Sequence, residues 1–304
     1  MFSIFSLAVI ISIAQQSAVP PPLASRDVPK LPLNTSTKLV DGRPLTQKSE
    51  TSSDNEMSLE KADNLKRLAS RHLDKREYEK AAPLLKQSLQ LYKQLQGEES
   101  QAYATTLDQL GCVDIWLGNH EQAEKCLLQA IRVFHKIAGE DSESSLSSVS
   151  NLAGLYMKTS NYERAKPYLI QVLDARKRVL GTDHLDCAGS LNNLGLLYMR
   201  TGKYELAEPL FREALVIYRN RLGENNQAYG DNLEKLAELF ESKGDLIVSE
   251  LFLTRALTIY TKVLPKTHPA LTQGLERYAA LLKKMHLDEQ AAQVKAVRAD
   301  LLKK

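Results

Sequence analysis

The feature that most constrains this chain is a repeat of 42 residues running from residue 57 to residue 304 without insertion or deletion. The column of Leu194 holds Leu68, Leu110, Leu152, Leu236 and Tyr278. The column of Gly195 holds Ala69, Gly111, Ala153, Ala237 and Ala279, and that of Ala207 holds Ala81, Ala123, Ala165, Ser249 and Ala291. Two columns that stay small through six copies mark points where two backbones approach closely, since a larger side chain would overpack the contact.

One unit, residues 191–223, shows how each copy is built. Leu191, Leu194, Gly195 and Tyr198 fall on one helical face, and Ala207, Leu210, Phe211, Ala214 and Tyr218 fall on another. Gly202 lies between the two runs, where a left-handed residue ends one helix and releases the chain into a turn. Gly97, Gly139, Gly181 and Gly223 mark the ends of the second helices, and Pro265 takes that place in the fifth copy. Pro83, Pro167 and Pro209 share a column early in the second helix, where a missing N–H costs nothing. The pattern therefore predicts an all-α fold of six helix–turn–helix repeats. A single helical hairpin cannot bury its apolar stripe, so the repeats stack into an α–α superhelix.

Helix starts are expected at Asp141, Asp183 and Thr267, and a capping-box pattern, Ser53-Asp54-Asn55-Glu56, is expected to open the first helix. The sixth repeat is polar where the others are apolar: Lys295 and Arg298 stand in the columns of Phe211 and Ala214, and Asp288 in that of Tyr204. Such a face suits the end of a solenoid.

The small-residue columns, Tyr198 and the order Leu–Gly–Tyr … Ala–Phe–Ala resemble the tetratricopeptide repeat. The long period, with LNNLGLLY, GKYELAEPLFREALVIY and the linker LGTDH, is similar to the repeats of kinesin light chains. That resemblance implies a right-handed superhelix whose first helices line a concave face, and a role in binding proteins. The N-terminal heptad coiled coil of kinesin light chain itself is missing. The lysine–asparagine clamp of chaperone-tail-binding relatives is incomplete as well: Lys66 fits, but Ser70 and Cys112 stand where asparagines belong.

With 43% hydrophobic and 25% charged residues the composition is that of an ordinary globular chain, and a formal net charge of +3 does not point to nucleic acid. The N terminus differs. Residues 2–14 (FSIFSLAVIISIA) form an uncharged apolar run, too short to span a bilayer, followed by small residues. Residues 1–18 therefore read as a secretory signal lacking a basic n-region, and the protein as exported, periplasmic or secreted. The alternative is a cytoplasmic chain whose start lies nearer Met57. Residues 19–56, with Pro20, Pro21, Pro22, Pro29, Pro32 and Pro44, read as a disordered linker, leaving residues 57–304 as the solenoid.

No catalytic constellation is visible. P-loop, H-E-x-x-H, G-x-S-x-G and C-x-x-C patterns are missing, and Cys112, Cys126 and Cys187 are scattered, which fits packing thiols rather than a metal site. His184 and His268 share a column beside the helix start and read as structural, and His72 and His135 show no carboxylate partner. No enzyme, cofactor or metal is expected.

Function is then expected in the groove. Read by column, the second repeat would present Asp108, Gln109, Cys112, Ile115 and Trp116. The third would present Ser150, Asn151, Gly154, Met157 and Lys158, and the fourth Asn192, Asn193, Leu196, Met199 and Arg200. Amides can bond the backbone of an extended peptide, while Met and Trp accept varied apolar side chains. Asn151 and Asn193 match the asparagine of the light-chain LNNL motif, which resembles a cargo-peptide contact; the plain alternative is a solvated helix face. In the fifth repeat Asp231, Glu234, Glu238 and Glu241 fall at spacings of three and four, forming an acidic stripe. With Lys158 and Arg200 upstream, the groove would be polarised, favouring a partner segment that is basic toward the fifth repeat. The partner class expected is a protein or peptide. A sensor that closes on a small peptide, and a nucleic-acid-binding solenoid, are the alternatives.

Overall fold

A computed structural model describes residues 48–302, so the expected signal and most of the expected linker lie outside the described residues. Twelve helices and no strands are present among the described residues. They form six antiparallel pairs: α1 (Lys48–Asp74) with α2 (Tyr78–Gln96), α3 (Gln101–Leu117) with α4 (His120–Ala138), and α5 (Glu143–Lys158) with α6 (Tyr162–Leu180). Then follow α7 (Leu185–Arg200) with α8 (Tyr204–Leu222), α9 (Gln227–Lys243) with α10 (Leu246–Val263), and α11 (Pro269–Lys284) with α12 (Asp288–Leu302). The period read from the sequence is thus the period of the fold.

The turn within each pair reuses one conformation. Arg76, Gly118, Ser160, Gly202, Gly244 and His286 occupy one column, and all six have positive φ, from 58° to 85°. Glycine takes that conformation freely, whereas the three side-chain-bearing residues carry its steric cost. The small columns do what their size requires. A Cβ added to Gly195 would stand 2.8 Å from the Phe211 ring, and one added to Gly111 would stand 2.7 Å from Leu127.

Three helix starts differ from expectation by one residue. Ser142 caps α5 by accepting from the Ser145 N–H, and His184 Nδ1 and His268 Nδ1 accept from the N–H groups of Asp186 and Ala270. These residues, one position after Asp141, Asp183 and Thr267, have the extended backbone that aims a side chain at the first turn. The two displaced aspartates instead reach back across the repeat, Asp141 to Arg178 at 2.7 Å and Asp183 to Arg221 at 3.1 Å. The first helix is corrected by more. It begins at Lys48, so Ser53-Asp54-Asn55-Glu56 lies inside α1 rather than capping it, and the linker ends earlier than residue 56.

The core runs along the stack as four clusters. Leu85, Tyr92 and Phe134 centre its first part; Leu152, Leu155 and Leu191 the second; Phe211 and Leu239 the third; Leu257, Tyr260 and Tyr278 the last. At the C-terminal end Arg298 donates to the Thr272 carbonyl at 3.0 Å and to Glu276 at 3.0 Å. First helices of successive repeats meet directly, α3 with α5, α7 with α9, and α9 with α11. They therefore form the inner wall of the stack, as the family resemblance implies.

Candidate functional site

The inner wall carries the residues expected to line the groove, and the structure divides them into two sets. Most of the polar ones tie one first helix to the next. Asn151 on α5 donates to both carboxylate oxygens of Asp108 on α3, each at 3.1 Å. Lys158 donates to the Ile115 carbonyl at 2.8 Å and lies 4.4 Å above the Trp116 ring. Further along, Arg200 on α7 faces Glu238 on α9 at 3.6 Å. Arg277 on α11 reaches Glu238 at 3.4 Å and Glu234 at 3.9 Å, and Lys284 pairs with Glu241 at 2.7 Å.

Two expected groove residues are corrected to core positions. Asn192 is buried because Asn232 donates to it at 2.5 Å and it in turn donates to the Tyr218 hydroxyl. Met199 is buried among Phe211, Leu239 and Phe240, where α7 meets α8 and α9. Leu196 and Met157 are half-buried against neighbouring core.

The acidic stripe is also changed in meaning. Glu234, Glu238 and Glu241 each face a cation from an adjacent repeat, and Asp231 accepts from the Tyr260 hydroxyl at 2.6 Å. Tyr260 also donates to Glu234 at 3.1 Å. Burial raises the Glu234 carboxyl above the usual carboxylate range, with Arg277 pulling the other way. The Tyr260 hydroxyl is held far above its ordinary range by burial and the adjoining Glu234 charge. This stripe is therefore largely neutralised within the solenoid, and offers a partner less free charge than the sequence suggests.

What remains exposed or without a hydrogen-bond partner is localised. Trp116 is 62% exposed, stacked on Tyr78 with ring centroids 5.4 Å apart. Gln109 keeps a buried Oε1 without a hydrogen-bond partner. Asn193 is exposed on α7 and makes no hydrogen bond within the described residues. On α5, the first helix of the preceding repeat, Gly154 is likewise exposed, and a Cβ there would meet nothing within 4 Å. Among the described residues no hydrogen bond or ion pair joins α5 to α7, in contrast to the tied boundaries on either side.

Other candidate chemistry resolves into structure. Cys112 is pushed up to about 12 by burial and the nearby Asp108 charge, and burial also raises Cys126 and Cys187. None is a thiolate at neutral pH. Contrary to expectation His72 has a carboxylate partner, Glu77 at 2.6 Å, closing the α1–α2 turn. No grouping of His, Cys, Asp and Glu among the described residues could hold a metal. No described helix is long and apolar enough to cross a membrane.

The inter-repeat ties were missed in the sequence although it carries their signal. Asp108 and Asn151, Glu234 and Arg277, and Glu241 and Lys284 are each separated by 43 residues, one more than the repeat. Adding one residue to the period turns the side chain toward the next helix.

Comparison with known proteins agrees with this architecture. Tetratricopeptide-repeat family models match residues 60–136 and 186–262, and residues 145–186. No curated protein matches the chain. Among solved structures it is similar to the nearly identical TPR-like repeats of a Podosopora anserina protein assigned as a kinesin light chain, at 21% identity and a TM-score of 0.57, covering 66% of this chain and 96% of that one. It is also similar to BtubC (BKLC) from P. vanneervenii, at 19% identity and a TM-score of 0.58, covering 81% and 92%. A Rap protein complexed with Competence and Sporulation Factor matches at 15% identity and a TM-score of 0.58, covering 81% of this chain and 64% of that one. At these identities the likeness concerns the fold.

Proposed function

Because the chain belongs to the tetratricopeptide-repeat family, we propose that it is a non-enzymatic interaction scaffold that seats an extended peptide segment of a partner protein at the boundary between α5 and α7. The observation that carries this reading is the unpartnered, exposed Asn193 amide on α7, with open space at Gly154 on α5, at an inner boundary that no polar contact closes. A primary amide offers one acceptor and two donors, the set needed to bond both groups of a passing backbone peptide unit. Lys158 uses one donor on Ile115 and keeps two, which favours a neutral or acidic segment toward the third and fourth repeats. Trp116, 62% exposed although Tyr78 stacks on it and Lys158 lies over its ring, offers the remaining indole surface to an apolar side chain of the same segment. Gln109, Asn151, Leu196, Met157 and Arg200 then act mainly by shaping this wall. The reading includes export, with residues 1–18 removed and the following proline-rich stretch acting as a tether; the mass of the mature N terminus in fractionated cells tests it.

The direct test of the groove is site-specific photo-crosslinking in whole cells with the probe placed at Asn193 and, as a control, at Arg132, an exposed position on the second helix α4. A defined partner peptide should be captured at 193 and not at 132. Gly154→Trp, which fills the open space, should abolish that capture without changing the far-UV circular dichroism. Equal capture at both positions, or capture indifferent to Gly154→Trp, would sink the assignment.

A further inference from the structure

One phenol in the fifth repeat faces more carboxylates than it has hydrogens. The Tyr260 hydroxyl on α10 lies 2.6 Å from Asp231 Oδ1 and 3.1 Å from Glu234 Oε2, both on α9. A hydroxyl carries a single hydrogen, so if both carboxyls were ionised one of them would face a lone pair of the phenol oxygen. Asp231 holds the shorter bond and takes the hydrogen. Glu234 is then the group in conflict. Its side chain is 16% exposed, and its other oxygen, Oε1, is buried without a hydrogen-bond partner. Gly274 on α11 makes room for that oxygen, since a Cβ there would stand 3.2 Å from it. An ionised carboxylate in this position costs more than the neutral acid does.

Other repeats show how the same place is filled without that conflict. In the first pair Asp63 and Tyr92 repeat the Asp231–Tyr260 bond, and there the column of Glu234 supplies Lys66, whose ammonium lies 5.8 Å from the centre of the Tyr92 ring. In the second pair the column holds Asp108, but Phe134 stands where the phenol would be. In the fourth pair it holds Asn192, which donates an amide N–H to the Tyr218 hydroxyl at 3.4 Å. A protonated glutamate can do the same, because its O–H is a donor where the carboxylate has none.

We propose that Glu234 is a pH-sensitive latch between the fifth and sixth repeats. As the neutral acid it donates its proton to the Tyr260 oxygen while Tyr260 donates to Asp231; once ionised it gives up Tyr260 and closes on Arg277 of α11. Arg277 already stands 3.9 Å from Glu234 Oε1, and Glu238 engages it at 3.4 Å. Among the other groups facing the junction, Lys235 on α9 favours the ionised form of Glu234 and Asp231 opposes it. From α7, Arg200 reaches only as far as Glu238, at 3.6 Å, and from α8 the Tyr218 hydroxyl feels the Asp231 charge. Burial is the largest influence on the Glu234 carboxyl and outweighs Arg277, so the changeover lies above the range in which exposed glutamates titrate. As pH rises through it, α9 gains a tie to α11 on the inner wall, where the last repeat joins the stack.

Carbon-13 NMR of the full chain, labelled at the glutamate carboxyl carbons and titrated from about pH 3 to about pH 8, tests this. One glutamate signal should titrate about one pH unit or more above the others and be missing from Glu234→Gln. That variant keeps a donor at the site, as Asn192 does beside Tyr218, so the fold should be retained. Asp231→Asn removes a neighbouring charge and frees the Tyr260 hydrogen for Glu234, so the raised midpoint should fall by about one unit. Arg277→Gln removes the cation that receives the carboxylate and should move the midpoint further up. In the unmodified chain the Arg277 Nε–H signal should shift with the same midpoint, and in Glu234→Gln it should stay constant. These two single changes report on the latch even if Glu234→Gln perturbs folding. A Glu234 signal that titrates with the exposed glutamates overturns the proposal. So does a midpoint that does not fall in Asp231→Asn, or an Arg277 signal without the matching transition, which would leave Glu234 as a buried acid and nothing more.

Discussion

The close approach at Gly195 allows a quantitative test of how sequence sets the packing within a repeat. A Cβ at this position would lie 2.8, 3.0 and 3.1 Å from three atoms of the Phe211 ring, and Phe211 is fully buried, so the ring has no free space to swing into. Gly195→Ala should therefore incur about 1–3 kcal/mol of overpacking, offset by roughly 1 kcal/mol from alanine's better helix propensity. The net expectation is a loss of about 1 kcal/mol. Phe211→Leu alone should cost about 1 kcal/mol or slightly more, by leaving a void where the ring was. The neighbouring repeats already contain the compensated pair: Ala153 with Leu169, and Ala237 with Leu253, all buried. The double variant Gly195→Ala with Phe211→Leu recreates that pair and should unfold close to wild type. This means a favourable coupling of about 1–2 kcal/mol, within the range found for residues in contact. Urea unfolding of the four proteins, followed by far-UV circular dichroism, measures it. Additivity of the two single changes to within about 0.3 kcal/mol would refute the argument that one column is chosen against the other.

Three further outcomes are expected. Ser160→Gly and His286→Gly, at φ of 58° and 62°, should each raise stability by about 0.5–1 kcal/mol by relieving a left-handed side chain, and no gain in melting temperature would count against strain at those turns. Glu77, lowered from 4.5 to about 2 by the Lys80 hydrogen bond first and His72 second, favours the folded α1–α2 turn above pH 4.5; as pH falls from there toward 2 that contribution is lost. Amide exchange at this turn should accelerate over that window in wild type but not in Glu77→Gln, and identical profiles would contradict the linkage. Cys112, half-buried and held at about 12, and the buried, raised Cys126 and Cys187 should resist thiol reagents in the native protein at pH 8 and react once it unfolds; rapid native labelling of any of the three would contradict their raised thiols.

How much could be read in the sequence follows from which interactions repeat. Packing within a helix pair recurs in every copy, so the columns of Gly195 and Ala207 fix it six times over, and the fold was legible. Caps are decided by single residues. Asp141 and Ser142 are both good capping residues, and only the backbone conformation of Ser142 shows which one faces the helix. The groove was half legible because a first helix has two neighbours on its inner side, and column reading takes no account of the second. Asn192 is in the same column as the half-exposed Ser150, yet Asn232 and Tyr218 close over it. Arg176 is a sharper case. It occupies the column of Tyr92, Phe134, Tyr218 and Tyr260, and it is buried with bonds to Ser190 and Glu143 at 3.1 and 2.9 Å, a polar solution that no aromatic column announces.

These inter-repeat bonds also bear on where a partner would sit. At the α3–α5 boundary the polar groups are spent on each other, Asn151 on Asp108 and Lys158 on Ile115. At the α7–α9 and α9–α11 boundaries the same holds, through Asn232 with Asn192, Arg200 with Glu238, and Arg277 and Lys284 with the acidic stripe. A peptide binding there would have to break an existing bond for each one it makes, so its net gain per contact is small. At the α5–α7 boundary Asn193 faces water instead, and Gly154 leaves the surface of α5 open. A peptide bond laid across it displaces only solvent. The asparagine that the light-chain resemblance singles out is therefore present twice, but only Asn193 is free to act; Asn151 has become part of the wall. Asn193→Ala should thus weaken partner capture while leaving the melting temperature unchanged, whereas Asn151→Ala should lower the melting temperature by leaving the half-buried Asp108, whose carboxyl is already raised by burial, without its partner. The opposite assignment of effects would place the seat at the α3–α5 boundary instead.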